Sequence, residues 1–273
     1  MSAGLLVRVG IDGESGKWNA PCDSAGKFCF VPMGYAPITT SFDPLYLPYK
    51  GAVDDFLSRS STKKIPRRCK WPTKLPQKGH FDPDFNESTY GDQGQKAERI
   101  QSLMSPGDFL VFYSALRSVE TGKLIYSIIG FYVVDRVLHA TKVPKRDRHR
   151  NEHTRPGRFD PAQSCVVFGR PRTSGRLTRH IPIGEMRGKH YWVTKELLQL
   201  WGGLDVKDGF IHRSAYLPMF LKPKRFLRWF DRQDATLIHE DNPSEWKVAL
   251  RDQAPVRNTN VEDLCISRRF SVK

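Results

Sequence analysis

Acidic residues are in short supply: 29 Asp and Glu stand against 44 Lys and Arg, a formal charge of +15 in 273 residues. A surplus of that size points to a polyanionic partner, nucleic acid first and an anionic membrane second. Long apolar runs are missing as well. The longest, residues 124–134, is broken by Tyr126, Ser127 and Gly130 and falls far short of the roughly 20 residues of a spanning helix. The first twelve residues lack the apolar core and small-residue cleavage site of a secretory signal, and the Arg- and Ser-rich character of a transit peptide. The five cysteines (Cys22, Cys29, Cys69, Cys165, Cys265) include no CxxC pair. That spacing disfavours a disulfide framework and a zinc ribbon and fits free thiols in a reducing cytoplasm, the expected location. No repeat of solenoid period is present.

What is there is a strand-rich body with a helical end. Residues 5–11 and 28–31 read as two strands, paired as a hairpin with a polar tip. Between 39 and 95 prolines recur at 44, 48, 66, 72, 76 and 83, and the stretch reads as irregular. Residues 95–104 carry Ala97, Ile100, Leu103 and Met104 near one helical face. The strongest core signal is the pair of β-rich runs 109–116 and 124–137 around a polar turn at 120–123. They predict a central hairpin with Gly130 as a bulge or a point of close approach. Residues 164–169 read as a further strand. Thr194 suits the N-cap of a helix over 195–201 that Gly202 ends, and Pro223 suits the first turn of a helix reaching Arg232. Asn242 to Glu245 has capping-box spacing before a last helix. The expected fold class is α+β in one domain spanning 1–273, with the strand-rich body at about 5–185, long loop insertions, and a helical layer at about 190–255.

Several polar clusters have the residue types of a reaction site. In an extended chain His80, Asp82 and Asp84 would share one side, with Pro83 holding the backbone out of the helical region. One imidazole and two carboxylates suit general acid/base work; the same Asp-Pro pair equally suits a turn whose carboxylates cap backbone N–H groups. No second ligand set at standard spacing accompanies them, so neither a metal nor a cofactor is expected. Asp12, Glu14 and Asn19 follow the first strand, where carboxylate and amide groups suit the edge of a nucleobase, or a solvated tip. Tyr90 and Asp92 flank Gly91 in what reads as a turn. His153 can shuttle a proton near neutral pH, and Arg155 can fork onto a phosphate.

Basic residues cluster. Residues 63–74 hold six of them, no acid and Trp71. Lys63, Lys64, Arg67, Arg68 and Lys70 are the expected phosphate contacts there, with the indole as a stacking platform. Residues 142–158 carry seven Lys/Arg against two acids, and Arg170, Arg172, Arg176 and Arg179 crowd one turn region.

A resemblance rests on particular strings. Gly107–Tyr113 (GDFLVFY) followed by residues 128–134 (IIGFYVV) resembles the core hairpin of PUA-like small β-barrels, the group with the EVE and ASCH domains. That likeness implies a barrel body and a base-binding cleft beside the hairpin, where Tyr113 would lie. A longer series occurs in order: RVGID at 8–12, GKWNAP at 16–21, GKFCFVPM at 26–33, HFDPDF at 80–85, TYGD at 89–92, NEHTR at 151–155 and GRLTRHIPI at 175–183. This series is similar to the third nucleotide-modification-associated domain family, which accompanies systems that alter DNA bases in bacteria and phages. The resemblance implies a protein of a base-modification pathway that binds DNA and acts on a modified or flipped base. Asp12, His80, Asp82, Asp84, Asp92 and His153 would then be catalytic, and Glu14, Asn19, Tyr90 and Tyr113 would bind the base. Hydration of the nitrile of a 7-deazaguanine in DNA to the amide is one reaction that setting offers. The alternative is a PUA-like reader, without catalysis, of modified bases in DNA or RNA. The implied partners are DNA and other proteins of such a system, with no membrane.

Overall fold

A computed structural model describes residues 2–11, 18–32, 46–73, 75, 78–80, 82–154, 159–212, 216–241 and 259–260; at 46–48, 78–80 and 259–260 only the backbone is described. Its centre is the hairpin that the apolar runs predict. Strand β6 (Phe109–Ser118) and strand β7 (Leu124–His139) pair antiparallel over most of their length. In β6 the even residues Leu110, Phe112 and Leu116 enter one core and the odd residues Phe109, Val111, Tyr113 and Ala115 the other. Both faces are therefore covered, which explains an almost unbroken apolar run where a half-exposed strand would alternate.

In β7 the parity flips. Tyr126 and Ile128 face the second core, and so do Phe131 and Val133. The extra residue is absorbed at a register shift opposite Phe112 and Tyr113. Gly130 sits there, and a Cβ on it would lie 2.4 Å from Phe85 Cε1 and 3.1 Å from the Gly175 carbonyl oxygen. The Phe85 ring is itself held edge-on by Phe30, Phe112 and Tyr132 at 5.2, 5.9 and 5.8 Å. It has no room to retreat, so Gly130→Ala should lower unfolding stability by about 1–3 kcal/mol in a denaturant titration. An unchanged midpoint would contradict this packing.

The rest of the sheet is mixed. Strand β1 (Gly4–Arg8) lies parallel to β6, and the short β2 (Pro21–Cys22) also pairs parallel with it. The expected N-terminal hairpin is thus replaced: the first strand pairs with the distant central one, and residues 28–32 contribute an isolated bridge to Cys22 and a bond from Ile11 N to the Val31 carbonyl (2.7 Å). On the other side of β7 lie β8 (Ser164–Gly169) and β9 (Gly175–Pro182). Strand β5 (Thr89–Gln93) pairs with β8, and β12 (Thr236–Ile238) with β9. The principal path runs β1-β6-β7-β9-β12-β13, the last being Thr259–Asn260. Among the described residues no pairing returns from its far end to β1, so the sheet is open and the expected barrel closure is not found.

Helices cover both faces. Helix α1 (Tyr49–Ser58) buries Tyr49, Ala52, Val53, Phe56 and Leu57, and α2 (Gln95–Leu103) buries Ala97 and Ile100, against the first core. Helices α3 (Lys195–Trp201) and α4 (Pro223–Asp231) cover the second. The Thr194 hydroxyl accepts from Leu197 N at 3.4 Å, and Gly202 takes a φ of 82° at the other end of α3. Phe226 and Phe230 of α4 stack on Phe109 and Phe131 at 5.6 and 4.8 Å. A small ribbon, β10 (Gly184–Arg187) with β11 (His190–Val193), precedes α3. Among the described residues no helix is long and apolar enough to cross a membrane. The capping box at 242–245 lies outside the described residues.

Candidate functional site

The clearest polar arrangement forms where β5 meets the loop before β8. Thr89 to Gln93 pair with Phe168 to Ser164, with Gly91 opposite Val166. A short 3-10 turn, Glu152–Thr154, crosses β5 there and lays the His153 ring directly on Gly91. A Cβ at Gly91 would lie 2.3 Å from His153 Cδ2 and 2.6 Å from Asn151 Oδ1, so this approach requires glycine. Phe159 stacks on the imidazole at 3.8 Å, 17° from coplanar.

Both ring nitrogens are engaged. Nε2 lies 3.1 Å from Asp82 Oδ2 and Nδ1 lies 3.2 Å from Ser164 Oγ. Ser164 donates its one proton to the Asp160 carbonyl at 2.8 Å. Toward the ring the serine can only accept, so Nδ1 carries a hydrogen. The Nε2 contact is then a proton shared with Asp82, as carboxylate and imidazolium or as carboxylic acid and neutral ring. Asp82 Oδ1 accepts from Gly91 N at 2.7 Å. Burial raises the Asp82 carboxyl above its usual range, against the lowering effect of the His153 hydrogen bond. The His153 side chain is 3% exposed and the Asp82 side chain 12%, so Asp82 is the member nearer solvent. The order Asp82–His153–Ser164 has the residue types of a nucleophile triad. It does not function as one, because the Ser164 hydroxyl is fully buried and gives its proton to a carbonyl.

The neighbouring residues divide between this site and the scaffold. TYGD is strand rather than turn, so Tyr90 and Asp92 share a face. The Tyr90 hydroxyl donates to Asp92 Oδ2 at 2.5 Å while its ring packs on Phe112 at 5.3 Å. Burial, then the Asp92 charge, hold that hydroxyl well above its usual range. Asp84 does not share the side of Asp82. Its Oδ1 accepts from Glu87 N at 2.9 Å, and its backbone exchanges two bonds with Thr89, closing the turn between them. The turn is tied down from the C-terminal side, where Asp241 accepts from Phe85 N at 2.9 Å and from Asn86 Nδ2 at 2.8 Å. His80 belongs to the short strand β4 (Lys78–His80), which pairs antiparallel with β3 (Tyr46–Pro48); its side chain is outside the described residues, as are Asp12, Glu14 and Arg155.

Two expected base-binding residues are placed elsewhere. Asn19 is a buried strut that donates to the Ala115 carbonyl at 2.9 Å and accepts from Arg117 Nη2 at 3.2 Å. Tyr113 belongs to the second core, on the other face of β6 from Tyr90, and its hydroxyl donates to the Ile211 carbonyl at 2.9 Å. Among the described residues no three His, Cys, Asp or Glu side chains are grouped to hold a metal ion. Cys22, Cys29, Cys69 and Cys165 are free and buried, and burial pushes each thiol up, that of Cys29 to about 12.

The cations sort in the same way. Lys63, Lys64, Arg67, Arg68 and Lys70 are exposed around a short turn, Arg67–Cys69, that the Cys69 thiol tethers to the Ser118 carbonyl at 3.5 Å. Trp71 is not an open platform: its ring packs on Trp18 at 5.3 Å and its Nε1 reaches the Leu75 carbonyl at 3.4 Å. Arg170, Arg172 and Arg179 are exposed. Arg176 is not a surface residue. It is 1% exposed, lies 3.9 Å from the Phe28 ring centroid and donates to the Phe28 carbonyl at 2.5 Å; burial lowers its pKa to about 10. Closest in sequence to His153 is the 3-10 segment Lys145–Arg150. Arg150 is held by Glu87 at 3.1 Å, and Asp147 reaches Arg136 at 3.1 Å, with both guanidiniums over the Phe168 ring. Lys142, Lys145, Arg146 and Arg148 remain exposed beside it.

The sequence singles out Asp82, Asp92 and His153 separately. It gives no sign of Gly91, Phe159 and Ser164 as the cradle of the imidazole, because these meet only through the β5–β8 pairing. A family model described as nucleotide modification associated domain 3 matches residues 4–206, which contain all of this site. No curated protein and no solved structure matches the chain.

Proposed function

This chain belongs to the nucleotide modification associated domain 3 family, and on that premise we propose that it binds DNA and moves a proton on a base through Asp82. Residues 142–150 would lie along the phosphates, and the base would meet the Asp82 carboxyl at the edge of β5. His153 is then a positioning residue: both of its nitrogens are taken, and it holds Asp82 and tunes it from behind. A carboxyl raised by burial holds its proton to a higher pH than an ordinary Asp does, which favours general acid/base chemistry.

Among the reactions the family setting offers, hydration of a nitrile on a 7-deazaguanine fits this equipment best. Asp82 would take a proton from water as the oxygen bonds to the nitrile carbon. It would return that proton to the nitrogen, and tautomerisation of the adduct leaves the amide. This route needs no covalent nucleophile, consistent with described thiols that burial holds protonated and with a Ser164 hydroxyl committed elsewhere. The 3.1 Å contact between the buried His153 Nε2 and Asp82 Oδ2 is the observation that carries the reading.

The test is incubation of the protein with duplex DNA carrying the nitrile base, or only ordinary bases, followed by digestion to nucleosides and mass analysis. Gain of one water on the modified nucleoside alone is expected. The second reading is a reader, favoured by the completeness of the hydrogen bonds of His153 inside the protein. Tighter binding of modified DNA with no change of mass would establish it and refute catalysis.

A further inference from the structure

Beyond the matched residues, which end at 206, the helix α4 presents an outer face that the family leaves unexplained. Phe226 and Phe230 point into the second core, and Lys224, Arg228 and the C-cap Arg232 lie exposed on the opposite side. Spacing of i, i+4 and i+8 puts these three in one stripe, with successive cations about 6 Å apart along the axis. Among the described residues no carboxylate lies within ion-pair distance of the three. The helix also has no acid in its first turn, where Lys224 faces the positive end of its dipole. Local helix energetics disfavour a cation at that point, so helix stability does not account for Lys224, whereas Arg228 and Arg232 lie at the end where the dipole favours cations.

Further basic residues stand at the end of the main sheet that α4 covers. The α4 aromatics stack on Phe109 and Phe131. Two residues along β7, the Val133 carbonyl accepts from Arg170 N at 2.8 Å and Val133 N donates to Ser174 Oγ at 3.0 Å. The turn with exposed Arg170 and Arg172 therefore stands at the end of the central hairpin that α4 covers.

We infer that Lys224, Arg228 and Arg232, with Arg170 and Arg172, form a phosphate-backbone surface for duplex DNA, separate from the Asp82 site. The inference rests on the DNA-binding half of the proposed function and deepens it. A membrane is the poorer fit, since an interfacial helix turns its apolar face outward and α4 turns its own inward.

The experiment compares the full chain with the combined variant Lys224→Gln, Arg228→Gln, Arg232→Gln on unmodified duplex DNA across a salt series. Each lost phosphate contact removes about 0.9 from the slope of log affinity against log salt, so the triple variant should be shallower by about 2.7 and bind more weakly at every salt tested. The control, Lys50→Gln, Arg59→Gln, Arg187→Gln, removes equal charge from cations that already face carboxylates, and its slope should match wild type. Equal slopes in the two triple variants sink the inference and leave the proposed function standing. A wild-type chain that binds no duplex sinks both. Binding to phosphatidylserine vesicles that is lost in the stripe variant, with the DNA slope unchanged, overturns it in favour of a membrane.

Discussion

Asp82→Asn is expected to lower the rate of base conversion by about 10²- to 10⁴-fold, the usual contribution of a general acid/base, without loosening the fold. The amide can replace both contacts of the carboxylate. Its oxygen accepts from Gly91 N, and its NH2 donates to Nε2 of a ring whose hydrogen is on Nδ1. The pH dependence follows from the raised carboxyl. Between an ordinary Asp value of about 3.9 and the higher folded value, the native state keeps a proton that the unfolded chain has released. Stability from this group is present below that window and lost as pH rises through it, as the buried carboxyl takes on charge. Asp82→Asn removes that cost. The variant should melt no lower than wild type at pH 7, and its advantage should shrink as the pH is brought down toward 4. Full conversion by the variant, or a melting temperature well below wild type at pH 7, would defeat the assignment of Asp82.

The second large effect is at Gly91. Gly91→Ala drives a methyl group into His153 and Asn151, and the ring cannot withdraw because Phe159 lies behind it. A loss of about 1–3 kcal/mol in stability is expected from overpacking. The ring should also leave Asp82, so conversion should fall by about 10²-fold, the low end of an acid/base contribution. Gly51→Ala is the contrasting measurement. Gly51 lies in α1 with open space around it, and alanine there should stabilise by about 0.5–1 kcal/mol. Chemical denaturation of the two variants, with conversion measured in parallel, separates a steric effect at the site from the general effect of filling a glycine.

Local signals make part of the fold legible. The central hairpin, α2, α3 and α4 are legible because apolar period, turn residues and caps agree along one short stretch. Helix α1 is not legible although Tyr49, Ala52, Val53 and Phe56 keep helical spacing, because prolines at 44 and 48 make the whole stretch read as irregular. Strand β5 was hidden for a different reason. Gly91 and Asp92 are turn formers, and only the pairing with β8 makes them strand. The hairpin expected at the N-terminus lost to a parallel partner about a hundred residues away, a choice that no local pattern encodes. The site follows the same logic. Asp82 and His153 are 71 positions apart, so their residue types could be singled out but not their meeting. For Tyr113 the alternation of β6 gives the parity but not which face leads to the site. For Arg176 a cation in an Arg-rich stretch reads as solvent-facing, while β9 turns it onto Phe28.

Arg150 ends the cationic segment and stands three residues before His153, with Glu87, from the turn that leads into β5, bracing it. Under the proposed function, the parts that would hold the phosphates and the part that would position Asp82 share one short piece of main chain. A change of length between Arg148 and His153 would disturb both together, so in this architecture reach and reactivity are inherited as a single trait.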